Sequence, residues 1–180
     1  RLPEFEQLRL EARDIKDHTL DHLDFYLTRF EERVSENGGQ VHWCQSPGDV
    51  NRTVLELCRA AGAKLVTKGK SMITEETGLN AYLERHGVEP QETDLGEYII
   101  QLAHEPPSHL LGPAVHKTVD QVKALFNEFH AAHRARTGAK KPEEPRDMVG
   151  EARQVLREKY FAADVGVTGG NFLVAETGSV

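Results

Sequence analysis

The sequence predicts an α/β protein in which helices cover a parallel sheet. Short apolar runs at Val41–Cys44 and Lys64–Thr67 are predicted strands, and between them apolar residues recur at helical spacing over positions 50–61. Two strands joined by a helix normally run parallel in one sheet, because the crossover returns the chain to the edge where the first strand began. The same alternation continues through most of the chain.

A long amphipathic helix is predicted ahead of this unit. Over the first 37 residues apolar side chains recur every three or four positions, and Gly38-Gly39 follows as a stop signal. We therefore expect an N-terminal helical arm over residues 1–37 and one α/β domain over residues 38–180.

The remaining elements follow from the same patterns. Helices are predicted over Thr74–His86, with Ser71 or Thr74 as the N-cap, and around Tyr98–Leu102, Val119–Phe129 and Val149–Tyr160. Strands are predicted over Val88–Thr93, weakened by Pro90, over Asp164–Thr168 and over Phe172–Ala175, and Gly138–Pro145 is a predicted surface loop. The chain ends just after the turn Thr177-Gly178, where a returning strand is expected, so we expect a truncated sheet.

Charge and composition exclude several classes of partner. The 29 acidic and 22 basic residues give a net charge of −7, which disfavours binding to nucleic acid or to an anionic membrane surface. No apolar run approaches the roughly 18 residues that a membrane-spanning helix needs. We expect a cytoplasmic protein whose two cysteines, Cys44 and Cys58, are reduced thiols.

The segment Lys68-Gly69-Lys70-Ser71 is the first candidate site. It follows a predicted strand and precedes a predicted helix, a position where ammonium groups, a hydroxyl and backbone amides can converge on a phosphate or carboxylate. It is not a Walker A loop, because Lys64 stands where that motif needs glycine. The alternative is a strand-to-helix turn with solvated lysines.

A second candidate is the turn Thr168-Gly169-Gly170-Asn171, whose glycines allow close approach of a ligand. An ordinary tight turn explains it equally well. If both segments bind one anion, Lys70 and Ser71 should lie near these glycines at the carboxyl ends of the strands.

Histidines and carboxylates offer weaker candidates. His18 with His22, and His130 with His133, share helix faces that could hold a metal, but solvated faces are the favoured interpretation. Glu92, Asp94 and Glu97 could act as acids or bases if buried, although helix capping is the favoured role. A functional role for His109, in the proline-rich loop, is a further hypothesis.

Short motifs along the whole chain carry a resemblance to a known family. In chain order they are Asp17-His18, His22-Leu23-Asp24, Lys70-Ser71-Met72, Thr74-Glu75-Glu76, Gly78-Leu79-Asn80, the run from Glu92 to Leu102, Glu105-Pro106-Pro107-Ser108-His109, His116-Lys117-Thr118, Asp164-Val165-Gly166 and Ala175-Glu176-Thr177-Gly178-Ser179. They resemble the lactate-utilization protein B family. Gly69 departs from that family, which has a second Lys-Ser step at this point.

The resemblance implies a sugar-phosphate-isomerase and CoA-transferase-like fold, a parallel-sheet sandwich. It also implies that full-length members continue into a ferredoxin-type region, whose [4Fe–4S] clusters carry electrons as L-lactate is oxidised to pyruvate. Two cysteines cannot supply the four thiolates that such a cluster normally needs, so we expect no cofactor in this chain.

By this resemblance the chain is a ligand-binding or assembly domain, not catalytic alone, whose partners are the other subunits of an L-lactate-oxidising complex. Glu176 resembles the glutamate turn of CoA-transferase-like proteins, although a hairpin turn is the favoured interpretation. The alternative function is an autonomous enzyme of the same fold that acts on an anionic small molecule.

Overall fold

A computed structural model of the chain describes residues 2–108 and 112–180. It divides into two compact units, the first formed by residues 1–43 with 170–180 and the second by residues 44–169. The division into 1–37 and 38–180 made from the sequence stays a prediction. No helix within the described residues is long and apolar enough to cross a membrane.

The first unit contains two helices, α1 (Phe5–Asp21) and α2 (Leu23–Glu36). The prediction of one continuous helix was wrong, because the backbone of His22 leaves the helical region at φ −124° and ψ 31°. No glycine or proline marks this break, and the apolar spacing continues through it, so the sequence carries no signal for it.

Two predicted strands of the first unit do not form. Val41–Cys44 has no regular structure, and in the segment Phe172–Ala175 only Val174 pairs, in an isolated antiparallel bridge with Ser179. A strand needs a neighbour for its backbone amides and carbonyls, and an apolar pattern cannot supply one. The turn Thr177-Gly178 instead packs on α2, where Asn37 Nδ2 donates to the Thr177 carbonyl at 2.9 Å.

The second unit contains the predicted parallel sheet. Its strands are β1 (Leu65–Lys68), β2 (Glu89–Glu92) and β3 (Val165–Val167), and among the described residues their order is β2-β1-β3 with both pairs parallel. Pro90 is tolerated because β2 is an edge strand. Gln101 completes that edge: its side-chain amide donates to the Pro90 carbonyl at 2.6 Å and its oxygen accepts from the Glu92 amide at 3.0 Å.

Helices surround this sheet. They are α3 (Pro47–Ala60), α4 (Met72–Glu76), α5 (Leu79–Arg85), α6 (Leu95–Ala103), α7 (Val119–Phe129), α8 (Ala131–Thr137) and α9 (Pro145–Ala162). Side chains of Ser46, Ser71, Asp94 and Thr118 cap four of them. The helix predicted over Thr74–His86 is instead divided into α4 and α5, because Gly78 adopts a positive φ of 66° that a helix cannot continue through.

Two apolar clusters stabilise the second unit. The first joins α3, α5 and the sheet through Leu55, Cys58, Ala63, Val66, Leu79, Leu83 and Val88. The second joins α6, α7 and α9 through Tyr98, Ile99, Phe126, Met148, Ala152 and Leu156. The carboxyl ends of the strands are therefore held on a packed scaffold, which fixes the positions of the loops that follow them.

Candidate functional site

The carboxyl ends of β1 and β2 carry a buried ion pair. In the parallel register Lys68 lies opposite Glu92, and two residues earlier Val66 lies opposite Pro90. Side chains of paired residues point to the same face, so the face that is apolar at Val66 becomes charged at Lys68. Lys68 Nζ lies 2.8 Å from Glu92 Oε1, with the side chains 1% and 5% exposed.

Two polar side chains complete the surroundings of this pair. Lys68 Nζ donates to Thr74 Oγ1 at 3.0 Å, and Asn80 Nδ2 donates to Glu92 Oε1 at 2.7 Å. The serine cap at Ser71 starts α4 and thereby fixes Thr74. Such partners offset the cost of removing two charges from water. The ammonium group of Lys68 is therefore bound by Glu92 and Thr74, and it holds these two side chains in place.

The loops that follow β1 and β3 lie side by side. The Gly69 amide donates to the Val167 carbonyl at 2.8 Å. A Cβ atom on Gly169 would lie 2.9 Å from the Lys70 carbonyl oxygen and 3.5 Å from Ser71 Cβ, and one on Gly69 would lie 3.6 Å from Thr168 Oγ1. The structure thus brings together Lys70, Ser71 and Gly169, as the hypothesis of a shared site requires.

Three further residues were proposed from the sequence for the same site. Gly170, Asn171 and Glu176 belong to the first compact unit, and Glu176 is exposed in the turn between Val174 and Ser179. Anion binding by Lys70, Ser71, Thr168 and Gly169 stays a prediction, as does any role of Glu176. His109 lies outside the described residues.

Glu97 is the second buried carboxyl group near this edge. Its side chain is 4% exposed, and Lys70 Nζ lies 3.3 Å from Glu97 Oε1 without hydrogen-bond geometry. Burial raises the pKa of Glu97, and the neighbouring Asp94 carboxyl raises it further. Asp94 also accepts from the Gly96 amide at the start of α6. The sequence left helix capping and acid–base chemistry by a buried carboxyl group as alternatives. In the structure Asp94 caps α6 and the nearby Glu97 is buried.

A cavity of about 700 Å³ opens beside β2, α5 and α6. Glu92, Glu97, Asn80, Gln101 and Tyr98 are among its lining residues. Among the described residues, Glu92 Oε2, Asn80 Oδ1 and both carboxyl oxygens of Glu97 are buried without a hydrogen bond. The sequence motif Glu92–Glu97 indicated the carboxylates, but nothing in the pattern indicated that Asn80 and Gln101 would join them.

Tyr98 is part of a buried polar chain that the sequence did not reveal. Its hydroxyl lies 2.8 Å from His130 Nε2, and His130 Nδ1 lies 3.1 Å from Glu151 Oε2. Arg134 Nη1 donates to Glu151 Oε1 at 2.8 Å. Burial lowers the pKa of His130, although Glu151 opposes this, while burial and the charge of Glu151 raise the pKa of Tyr98 to about 12.

The interpretation of His130 and His133 as a solvated face was therefore wrong. Both are buried, because α7 and α8 turn that face towards α6 and α9. Partners 21 and 32 residues away satisfy His130, and such distances carry no local sequence signal. Within the described residues, no group of three or more His, Cys, Asp or Glu side chains is arranged to hold a metal ion.

The cysteines do not fit an iron–sulfur cluster. The sequence contains two, whereas a [4Fe–4S] cluster normally takes four thiolates. Cys58 is fully buried in the first apolar cluster, and burial raises the pKa of its thiol, which disfavours the thiolate that binds iron. Cys44 is half-buried, with its sulfur 3.8 Å from Thr53 Oγ1.

The comparisons with known proteins agree on one family. The LUD domain matches residues 27–180. The chain is 43% identical over 180 residues to lactate utilization protein B of Bacillus velezensis and 40% identical to that of Bacillus subtilis, in each case over 99% of this chain and 36% of the relative. It is also 43% identical over 179 residues to the uncharacterized electron transport protein YkgF of Escherichia coli, with the same coverage.

The chain therefore spans little more than a third of the length of these curated relatives. No solved structure matches it. The domain match covers more than half of the chain, and the identity extends beyond it through α1. This protein belongs to the LUD domain family.

Proposed function

We propose that this chain is the LUD part of a protein that serves lactate utilization, acting as a ligand-binding or assembly domain within an L-lactate-oxidising complex. The observation that carries the proposal is the 40–43% identity over 99% of the chain to proteins named lactate utilization protein B. The same identity to an electron transport protein is in keeping with an electron-transfer role of the whole complex.

In this proposal the electrons do not pass through these 180 residues. The two cysteines do not fit a cluster, so the [4Fe–4S] clusters of the complex are held by other segments or by partner subunits. The contribution of this domain is to bind a small anion or to hold the partners together. Both roles use the rigid sheet edge at which Lys68 and Glu92 are buried.

The proposed anion site is the pair of loops after β1 and β3. Lys70 is 38% exposed and is not hydrogen-bonded to Glu97, so its ammonium can turn to a carboxylate or phosphate in the adjoining solvent. Ser71 and Thr168 contribute hydroxyl groups beside it, and the close contact of Gly169 with the Lys70 carbonyl keeps the two loops together. A side chain at Gly169 would separate them.

Growth of a chimeric strain tests the proposed function. In Bacillus subtilis, the segment of lactate utilization protein B that matches this chain is replaced by these 180 residues, and growth on L-lactate as the carbon source is compared with a strain in which the segment is deleted. We expect growth with the replacement and none with the deletion. Absence of growth while an immunoblot shows normal amounts of the chimeric protein would contradict the proposal.

Ligand binding separates the anion site from a pure assembly role. Lactate, pyruvate, sugar phosphates and CoA esters are titrated into the wild-type chain and into Lys70→Ala, with Lys140→Ala at an exposed position after α8 as the matched control. A ligand that binds only the folded state raises its thermal midpoint. An anion that stabilises the wild type and Lys140→Ala but not Lys70→Ala supports the site, and turnover of any of these compounds would favour the autonomous enzyme.

A further inference from the structure

The cavity beside β2 has an unusually acidic lining. Its glutamates are Glu75, Glu84, Glu89, Glu92, Glu97 and Glu105, and they face Lys159 as the basic lining residue. A negative potential accumulates in such a concave site and repels carboxylates and phosphates. This cavity is therefore unsuited to the anion proposed for the loop at Lys70, and it needs a ligand of different chemistry.

Basic residues balance only part of this charge. Glu92 pairs with Lys68, Glu97 lies beside Lys70, and Glu89 pairs with Lys159 at 2.7 Å. Glu105 pairs with Lys117. Glu75 and Glu84 make no ion pair within the described residues. The cavity thus keeps an excess of negative charge at its mouth, where a cation would be attracted.

Buried acceptors without donors lie just behind the inner wall of the cavity. Glu92 Oε2, Asn80 Oδ1 and both oxygens of Glu97 are buried and lack a hydrogen bond among the described residues. Glu92 and Glu97 are each at least nine-tenths buried. An unmet buried acceptor costs about 1–3 kcal/mol, more if it is charged, so a ligand that donates to these oxygens recovers that energy.

The ligand is an organic cation in preference to a metal ion. No group of three or more His, Cys, Asp or Glu side chains in the described chain has an arrangement that could hold a metal. A volume of about 700 Å³ instead accommodates a small organic molecule. Ammonium and guanidinium groups supply several N–H donors together with positive charge, which matches both the unmet oxygens and the unpaired glutamates.

We propose that this cavity is a binding site for a small organic cation, with an ammonium or guanidinium group seated against Glu92, Glu97 and Asn80. Glu75 and Glu84 attract the ligand and hold a second positive group when it has one. Lys68 acts as a positioning residue that keeps Glu92 in place. The site is distinct from the anion site at Lys70 and Ser71 but adjoins it, because Lys70 Nζ lies 3.3 Å from Glu97 Oε1.

Three four-carbon compounds of different charge test this site. Putrescine, neutral butanediol and succinate are titrated calorimetrically into the wild-type chain. We expect putrescine to bind at least about tenfold more tightly than butanediol, because charge-assisted hydrogen bonds are roughly twice as strong as neutral ones. Succinate should show no binding in this cavity.

Matched variants locate the binding. Glu97→Gln keeps the shape of the side chain but removes its charge, and we expect it to weaken putrescine about tenfold or more. Glu128→Gln, which makes the same change at an exposed residue of α7 outside the lining, should leave the affinity unchanged. If Glu97→Gln does not fold, the double variant Glu75→Gln and Glu84→Gln at the mouth of the cavity gives the same test.

Several results would overturn the proposal. Putrescine that binds no better than butanediol would remove the role of charge, and succinate binding that depends on the glutamates at the mouth, Glu75 and Glu84, would reverse it. Unchanged affinity of folded Glu97→Gln, or of the double variant, would place putrescine elsewhere on the surface. Absence of any putrescine binding by the wild-type chain would show that the cavity is not a cation site.

Discussion

Lys68 Nζ lies 2.8 Å from Glu92 Oε1, and the two residues occupy paired positions on neighbouring parallel strands in the interior of the second unit. This pair links the sheet to the two short helices that follow it, through Thr74 and Asn80. It is the centre of the polar edge on which both proposed sites depend.

The first prediction concerns this pair. Lys68→Met leaves Glu92 as an uncompensated buried charge, so we expect the free energy of unfolding to fall by about 3–5 kcal/mol. Adding Glu92→Gln should recover a large part of the loss. Urea unfolding measures both effects, and Lys140→Met at an exposed position should change stability by less than about 0.5 kcal/mol. Equal losses in Lys68→Met and in the double variant would show that Glu92 carries no penalty as an uncompensated buried charge.

The second prediction concerns the pH dependence due to Glu97. Its folded-state pKa is raised above the ordinary value of 4.5, so the native protein binds this proton more tightly than the unfolded chain does. The contribution of Glu97 to stability is therefore fully present below pH 4.5 and is lost as the pH rises towards the folded-state pKa. The wild type should lose stability relative to Glu97→Gln across this interval, as measured by urea unfolding at successive pH values. A constant difference between the two proteins would contradict the raised pKa.

The third prediction concerns Tyr98. Tyr98→Phe removes the hydroxyl that lies 2.8 Å from His130 Nε2 and leaves that buried nitrogen without its partner, so stability should fall by about 1–3 kcal/mol at neutral pH. Because the folded-state pKa of Tyr98 is raised to about 12, the advantage of the wild type over Tyr98→Phe should shrink between pH 10 and pH 12.

Tyr160→Phe is the matched control for Tyr98→Phe. Tyr160 is 57% exposed on α9, and loss of its hydroxyl should have little effect on the free energy of unfolding. Chemical denaturation under the same conditions gives the free energies of unfolding of the wild type, Tyr98→Phe and Tyr160→Phe. If both phenylalanine variants were equally stable, the buried chain from Tyr98 to Glu151 would contribute nothing measurable.

The fourth prediction compares two glycines that share a φ of +71°, Gly178 and Gly138. A Cβ atom on Gly178 would lie 2.6 Å from the Val34 amide nitrogen, whereas one on Gly138 would meet nothing within 4 Å. Gly138→Ala should therefore cost only the conformational strain of about 1 kcal/mol, and Gly178→Ala should cost clearly more. Limited proteolysis near the C-terminus, together with thermal unfolding, checks this order. Equal effects would mean that the turn at Gly178 does not pack on α2.

The fifth prediction concerns electron transfer. After anaerobic reconstitution with iron and sulfide, the purified chain should retain no stoichiometric cluster, because two cysteines are too few ligands. It should also fail to oxidise L-lactate with an artificial dye as acceptor. Dye reduction and pyruvate are measured together, and the full-length protein with its partner subunits serves as the positive control. Sustained turnover by the isolated chain would make this domain itself the dehydrogenase.

Local patterns in the sequence indicated β1, β2 and β3, and the alternation of strands with helices indicated that they run parallel, although one strand used in that argument, Val41–Cys44, does not form. Strand propensity and helical spacing act within a few residues, and a strand–helix–strand unit leaves little choice of direction. Because these patterns are local, they also explain the predictions that were wrong. Nothing near His22 signals the break between α1 and α2, and an apolar run such as Val41–Cys44 becomes a strand only if a neighbour supplies hydrogen bonds.

The sequence by itself determined the α/β class, the family and the absence of enough thiolates for a cluster, because each depends on residue type and order. The tertiary structure alone decided which charged side chains form ion pairs. Lys68 and Glu92 are 24 residues apart, and only the register of β1 against β2 places them opposite each other. In the sequence Lys68 looks free to bind a ligand. In the fold it is buried, and Glu92 and Thr74 occupy its ammonium group.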